Sequence, residues 1–143
     1  MYVKNAPKSV DYDENEVLLS VRDLTREGEF RNISFDVKRG EILGFYGLMG
    51  AGRTEIMETV FGLRKADDGT VTLKGKRIKS VRASISNGLA FITEDRKIFG
   101  LNLIASVKDN ITIAYLKKVL KGNFLMNFKK ERSTADELIQ KLR

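Results

Sequence analysis

A chain of 143 residues, 42% apolar and 31% charged, is long enough for one ordinary domain with a real core and too apolar to stay disordered. It contains no cysteine and no histidine, which excludes disulfides, thiolate chemistry and any histidine dyad or histidine metal cluster; no signal peptide and no apolar run of roughly 20 residues is visible, so a soluble intracellular chain is expected. The net charge of +7 admits an acidic partner such as nucleic acid, anionic lipid or phosphate, and equally a solvated basic surface.

In chain order, residues 1–16 lack periodicity, carry Pro7 among polar neighbours and include Asp11, Asp13, Glu14 and Glu16; they read as a linker or arm. Over 17–24, Val17, Leu19 and Val21 alternate with Leu18, Ser20 and Arg22. Over 30–37, Ile33, Phe35 and Val37 alternate with Asn32, Ser34 and Asp36. The spacing predicts two strands joined through Arg26-Glu27-Gly28-Glu29 as a hairpin, with Phe30 a core residue. After a turn at Gly40-Glu41, the apolar run Ile42, Leu43, Phe45, Tyr46 predicts a strand buried on both faces.

Gly47-Leu48-Met49-Gly50-Ala51-Gly52-Arg53-Thr54 follows, with the spacing of G-x-x-x-x-G-K-[ST] and arginine in place of lysine. Glycines in such a loop let backbone N–H groups converge on phosphate oxygens, and the next helix turns its positive end toward them. The lysine of the pattern reaches the terminal phosphates and the hydroxyl binds magnesium. The bland alternative is a glycine-rich turn that only joins strand to helix. Ile56, Met57, Val60 and Phe61 recur at helical spacing and Gly62 fits a C-terminal cap.

Further on, Asp67-Asp68-Gly69 predicts a turn, 70–74 a short strand and Gly75-Lys76 another turn. Ser80 is a candidate cap for a short helix ending at Asn87-Gly88. Residues 89–93 form a second apolar run, expected as another buried strand, which ends at Glu94-Asp95-Arg96-Lys97. Ile98, Phe99, Leu101 and Leu103 either pack under the following segment or stay exposable.

The remainder reads as helical. Ser106 with Asp109 is a capping-box signal, followed by Val107, Ile111 and Ala114 on one face. Gly122-Asn123 breaks that helix, and Ala135, Leu138, Ile139 and Leu142 form an apolar stripe expected to be core. Basic residues crowd this part, among them Lys117, Lys118, Lys121, Lys129, Lys130 and Arg132.

A hairpin, a G-E-I-L-G strand, the phosphate loop, a D-G-T-V strand and a strand ending in Glu94 together resemble the ATP-binding domain of ABC transporters, from about Val17 onward. The strings G-L-M-G-A-G-R-T-E (47–55) and E-D-R-K (94–97) narrow the resemblance to the second ATP-binding domain of monosaccharide importers of the ribose, galactose and xylose type. The implied fold is α/β of the P-loop NTPase class. It would comprise an antiparallel hairpin region, a RecA-like strand–P-loop–helix core, and the start of a helical subdomain from about residue 105. Residues 17–143 would then be a partial nucleotide-binding domain. The chain ends before any signature loop or water-activating carboxylate, so the expectation is a fragment that does not hydrolyse ATP alone, with no catalytic residue of its own.

The resemblance implies ATP and Mg2+ as ligands. Gly47, Leu48, Met49, Gly50, Ala51, Gly52, Arg53, Thr54 and Glu55 would line the nucleotide, and Thr54 and Glu94 the metal. Implied partners are a second nucleotide-binding domain, in the same subunit or another copy, and a transmembrane sugar permease, at the cytoplasmic face of the inner membrane; nucleic acid is not among them. Arg53 departs from the lysine of the pattern, Glu55 places a carboxylate at the helix start, and no hairpin aromatic is assigned to the adenine. The favoured function is therefore a regulatory or non-catalytic nucleotide site. An active NTPase using arginine and a basic nucleic-acid-binding module remain as alternatives.

Overall fold

The structure, a computed structural model, describes residues 15–48, 50–114, 116–122 and 124–141. The expected arm therefore lies almost wholly outside the described residues, as do Met49, Asn123 and Leu142. The chain divides into two compact units, with the break between Phe91 and Ile92.

In the first unit, β1 (Val17–Arg26) and β2 (Phe30–Lys38) form the expected antiparallel hairpin. Its turn closes with Glu29 N–H on the Arg26 carbonyl at 3.1 Å. β3 (Asp68–Leu73) pairs antiparallel with the other edge of β1, and β4 (Lys76–Arg77) pairs with β3, giving the order β2-β1-β3-β4. The strict alternation read from the sequence does not run through β1. Val21 and Leu24 are both buried although three positions apart, because the strand bulges between them. A bulge adds a residue to one strand and resets which face follows. Here Asp23 takes φ 49° and its N–H donates to Ser34 Oγ at 2.8 Å.

Gly69 fits against the same bulge. A Cβ there would lie 2.5 Å from the Asp23 carbonyl oxygen, and φ is +88°. No residue with a side chain suits both conditions.

Helix α1 (Arg53–Phe61) lays Ile56 and Val60 on a core built from Val21, Leu24, Phe30, Val71, Leu73 and Ile78. It ends as the sequence predicts. Gly62 is left-handed, its N–H reaches the Thr59 carbonyl at 3.0 Å, and Leu63 N–H reaches the Glu58 carbonyl at 2.8 Å, a Schellman closure. Helix α2 (Val81–Ser86) starts on Ser80, whose Oγ accepts from Ala83 N–H at 3.3 Å. The buried Ser84 hydroxyl donates to the Phe61 carbonyl at 2.6 Å, satisfying another end group of α1.

The two apolar runs do not form the expected buried strands. Residues 42–46 and 89–93 belong to no ladder among the described residues. Ile42 is 97% exposed and Ile92 87%. A continuous apolar run indicates the surroundings a strand needs; it does not supply the neighbouring strands that must bond its backbone. Side-chain contacts attach the runs instead: Phe45 lies edge-on to Phe35 at 5.0 Å, Phe91 stacks on Phe61 at 5.5 Å, and Leu89 packs against the core.

In the second unit, Arg96–Gly100 makes one wide π-type helical turn capped by Asp95, whose Oδ1 accepts from Lys97 N–H at 2.9 Å and Ile98 N–H at 3.0 Å. Helix α3 (Val107–Ile113) opens with the predicted capping box: Ser106 Oγ accepts from Asp109 N–H, and Asp109 Oδ2 accepts from Ser106 N–H. A short helix α4 (Leu116–Val119) and the hairpin of β5 (Leu120–Lys121) and β6 (Leu125–Met126) follow, and α5 (Phe128–Lys141) closes the unit. Val107, grouped with Ile111 and Ala114 on one face, is 69% exposed; Thr112 is the buried residue of α3. Ala135 of the predicted stripe is buried, Leu138 and Ile139 half-buried. Buried beside Ala135 on α5 is Glu131, which no apolar pattern could have marked.

Candidate functional site

The glycine loop enters α1 as the motif requires. Gly50 takes φ 82°, and Gly52, the residue preceding the helix, takes φ 78°. Within the loop, Ala51 N–H donates to the Leu48 carbonyl at 3.1 Å. A side chain on Gly47 would meet Ala51 Cβ at 3.1 Å, and one on Gly52 would meet the Glu29 carbonyl oxygen at 3.4 Å. A Cβ would be tight only at Gly47; at Gly50 it would meet nothing within 4 Å, and Gly50 and Gly52 are needed for their positive φ. The first bond into the helix runs from Ile56 N–H to the Gly52 carbonyl at 2.9 Å. Gly52 has no side chain to cap the first turn, and an α-helix start presents N–H donors that no earlier turn can satisfy. That arrangement fits the phosphate end of a nucleotide.

The predicted residues distribute as follows. Gly47, Leu48, Gly50, Ala51 and Gly52 form the loop, and Arg53, Thr54 and Glu55 form the first turn of α1. Met49 lies outside the described residues. Arg53 is exposed and makes no ion pair among the described residues. Thr54 and Glu55 are half-buried, and the Glu55 carbonyl accepts the Thr59 hydroxyl at 2.7 Å. Glu94 belongs to the second unit, exposed, immediately before the Asp95 cap. Phe30 is 8% exposed in the core, so it offers no face to a purine.

An ionic network at the far end of α1 escaped the sequence reading. Glu29, in the hairpin turn, pairs with Arg64 at 3.0 Å and with Arg26 at 3.0 Å, and Arg64 Nε pairs with Glu58 at 2.5 Å. The hydrogen bond to Glu58 holds the Arg64 guanidinium above its ordinary value. Arg26 also donates to the Lys65 carbonyl at 2.7 Å. Arg26 and Glu29 are only three residues apart, but Glu29 and Arg64 are 35 apart, so only the fold reveals the cluster.

The ABC transporter family model matches residues 30–143. The chain belongs to the ABC transporter family. Its fold is accordingly the P-loop NTPase fold of the ABC type, and membership in this ABC family implies a nucleotide site. Among individual relatives, the ribose import ATP-binding protein RbsA of Halalkalibacterium halodurans is 46% identical over 129 residues, covering 89% of this chain and 26% of that protein. The ribose import ATP-binding protein RbsA of Caldanaerobacter subterraneus is 44% identical over 129 residues, with 89% and 26% covered. That of Shouchella clausii is 42% identical over 134 residues, with 92% and 27% covered. The chain spans about a quarter of the length of the curated relatives it matches.

Proposed function

We propose that residues 17–143 are part of a nucleotide-binding domain in the ATPase of an ABC-type sugar importer, and that the loop 47–54 holds the phosphates of ATP with Mg2+. The observation that carries this reading is the left-handed pair Gly50 and Gly52 at the uncapped start of α1. Similarity to ribose import ATP-binding proteins supports the sugar. In such sites magnesium takes one or two protein oxygens and completes its shell with phosphate and water. The Thr54 hydroxyl is the contribution from this loop, and Glu94 the second candidate.

The site is a regulatory one in this reading. Arg53 carries a planar guanidinium where the motif uses the point charge of lysine. It can neutralise phosphate but is less suited to concentrating charge on a phosphoryl group in flight. Glu55 adds a carboxylate in the first turn, favourable to the helix dipole and opposed to a bound anion at the same end. The partners are a second nucleotide-binding domain and a membrane permease, at the cytoplasmic membrane face. Ile98, Phe99, Leu101 and Leu103 are 49–75% exposed and offer an apolar docking surface to the permease.

Calorimetric titration with Mg-ATP tests the nucleotide site. Saturable binding that disappears in Arg53→Ala supports it. A folded chain that takes up no Mg-ATP sinks it. Salt-sensitive binding of RNA with no response to ATP would favour a nucleic-acid module instead.

A further inference from the structure

The β5–β6 hairpin and the start of α5 bring lysines and bare apolar side chains together. Over residues 110–130 the chain carries five lysines and no acidic residue. Within that stretch Phe124, Leu125 and Phe128 are 68–92% exposed. Lys121, Lys129 and Lys130 are exposed as well and make no ion pair with a described residue. Leu125 lies directly opposite Lys121 in the hairpin, so an apolar and a cationic side chain share one face there.

These side chains stand on hydrogen-bonded backbone. Asn127 N–H donates to the carbonyl of Val119, a fully buried residue, at 2.9 Å. The Asn127 carbonyl accepts from Glu131 N–H at 2.9 Å, and its side-chain oxygen accepts from Lys130 N–H at 3.1 Å. One residue thus ties the hairpin to α4 and starts the helix that carries Phe128, Lys129 and Lys130. The nearby acids are engaged or distant. Glu131 is buried against Lys108, Asp109 also pairs with Lys108, and Glu137 pairs with Lys141. Asp136 stands more than a helical turn beyond Lys130 on α5.

Protein interfaces are depleted in lysine, and single-stranded nucleic acid asks for aromatic faces on which bases stack. Leu125 has no such face, and the cation opposite it is a lysine on a flexible stem. Apolar side chains that enter the headgroup region, beside lysines that reach anionic headgroups, are the chemistry of interfacial membrane binding. We infer that this hairpin and helix start form a contact for an anionic lipid surface. Phe124, Leu125 and Phe128 enter the headgroup region, and Lys121, Lys129 and Lys130 neutralise lipid phosphates. The contact is separate from the apolar residues at 98–103 offered to a permease, and it does not depend on the loop holding ATP.

The chain contains no tryptophan, so Phe124→Trp places a single reporter at the hairpin. Ile85→Trp, at an exposed position of α2 in the first unit, is the control. Each is titrated with vesicles of phosphatidylcholine and with vesicles of equal parts phosphatidylcholine and phosphatidylglycerol. The emission of Phe124→Trp should shift to the blue on the anionic vesicles, with binding at least about tenfold tighter than on the neutral ones and weakened by salt. Lys129→Gln with Lys130→Gln in that background should lower the affinity at least about threefold. Circular dichroism checks the fold, and Lys121→Gln makes the same test if the pair disturbs α5. Ile85→Trp should not shift. Absence of binding, equal affinity for both vesicles, an equal shift in Ile85→Trp, or vesicle binding that leaves the Phe124→Trp emission unchanged would each overturn the contact. RNA that quenches Phe124→Trp while anionic vesicles do not shift it would overturn it in favour of nucleic acid.

Discussion

Lys108 on α3 and Glu131 on α5 are joined at 2.6 Å, although the Glu131 side chain is only 5% exposed. The Thr112 hydroxyl also donates to this carboxylate, at 3.3 Å. A buried carboxylate is tolerated only when paired, and removing one partner strands the other. Glu131→Ala should lower the melting temperature of the unit containing α3 and α5. Glu131→Leu combined with Lys108→Met should recover part of the loss. Thermal melts followed by circular dichroism decide it; a double variant no more stable than Glu131→Ala would overturn the expectation.

Ser106→Ala should destabilise by about 1 kcal/mol, the usual cost of losing a helix N-cap. The same contact sets a pH dependence. The hydrogen bond from the Ser106 hydroxyl, and then the one from Lys108, hold the Asp109 carboxyl below its ordinary value of 3.8. A folded-state value below the unfolded one adds stability that is present above pH 3.8 and lost as pH falls through the lowered value. Urea melts below pH 4 should therefore show a shallower acid loss in Asp109→Asn than in the parent. Identical slopes would refute the assignment.

Gly69→Ala and Gly75→Ala separate backbone handedness from close approach. Both residues have positive φ, +88° and +73°, but a Cβ at Gly75 meets nothing within 4 Å, whereas one at Gly69 meets the Asp23 carbonyl oxygen at 2.5 Å. Gly75→Ala should cost about 1–2 kcal/mol, the left-handed penalty alone. Gly69→Ala should cost clearly more. Equal denaturation midpoints would show that β1 yields freely at its bulge.

Arg53→Lys distinguishes the two roles open to position 53. If arginine is a weakened substitute for lysine, the variant should bind Mg-ATP more tightly, by up to about tenfold or ~1.4 kcal/mol. Weaker binding would show that the guanidinium fork is the fitted group. Calorimetry on both proteins reads the difference directly.

The elements that could be read from the sequence are those whose signal is local. The β1–β2 hairpin follows from alternation, α1 from glycine spacing and a Gly62 cap, and α3 from Ser106 and Asp109. What stayed hidden depends on distant partners. The apolar runs at 42–46 and 89–93 announce burial, but ladder partners are a property of the assembled sheet. The bulge at Asp23 shifts Leu24 inward against the alternation. Glu131 reads as one charge among many until Lys108 and Thr112 are placed beside it. The glycine loop at 47–54 could be read because its residues are contiguous in the chain; the ion pair of Glu29 with Arg64 joins positions that only the fold brings together.

Glu29 neighbours both ends of α1. A Cβ placed on Gly52, where the helix begins, would lie 3.4 Å from its carbonyl oxygen, and its carboxylate pairs with Arg64 beyond the helix end at 3.0 Å. The residue that turns the β1–β2 hairpin therefore borders the glycine loop and the Arg64 ion pairs alike, so a substitution at position 29 alters the surroundings of both.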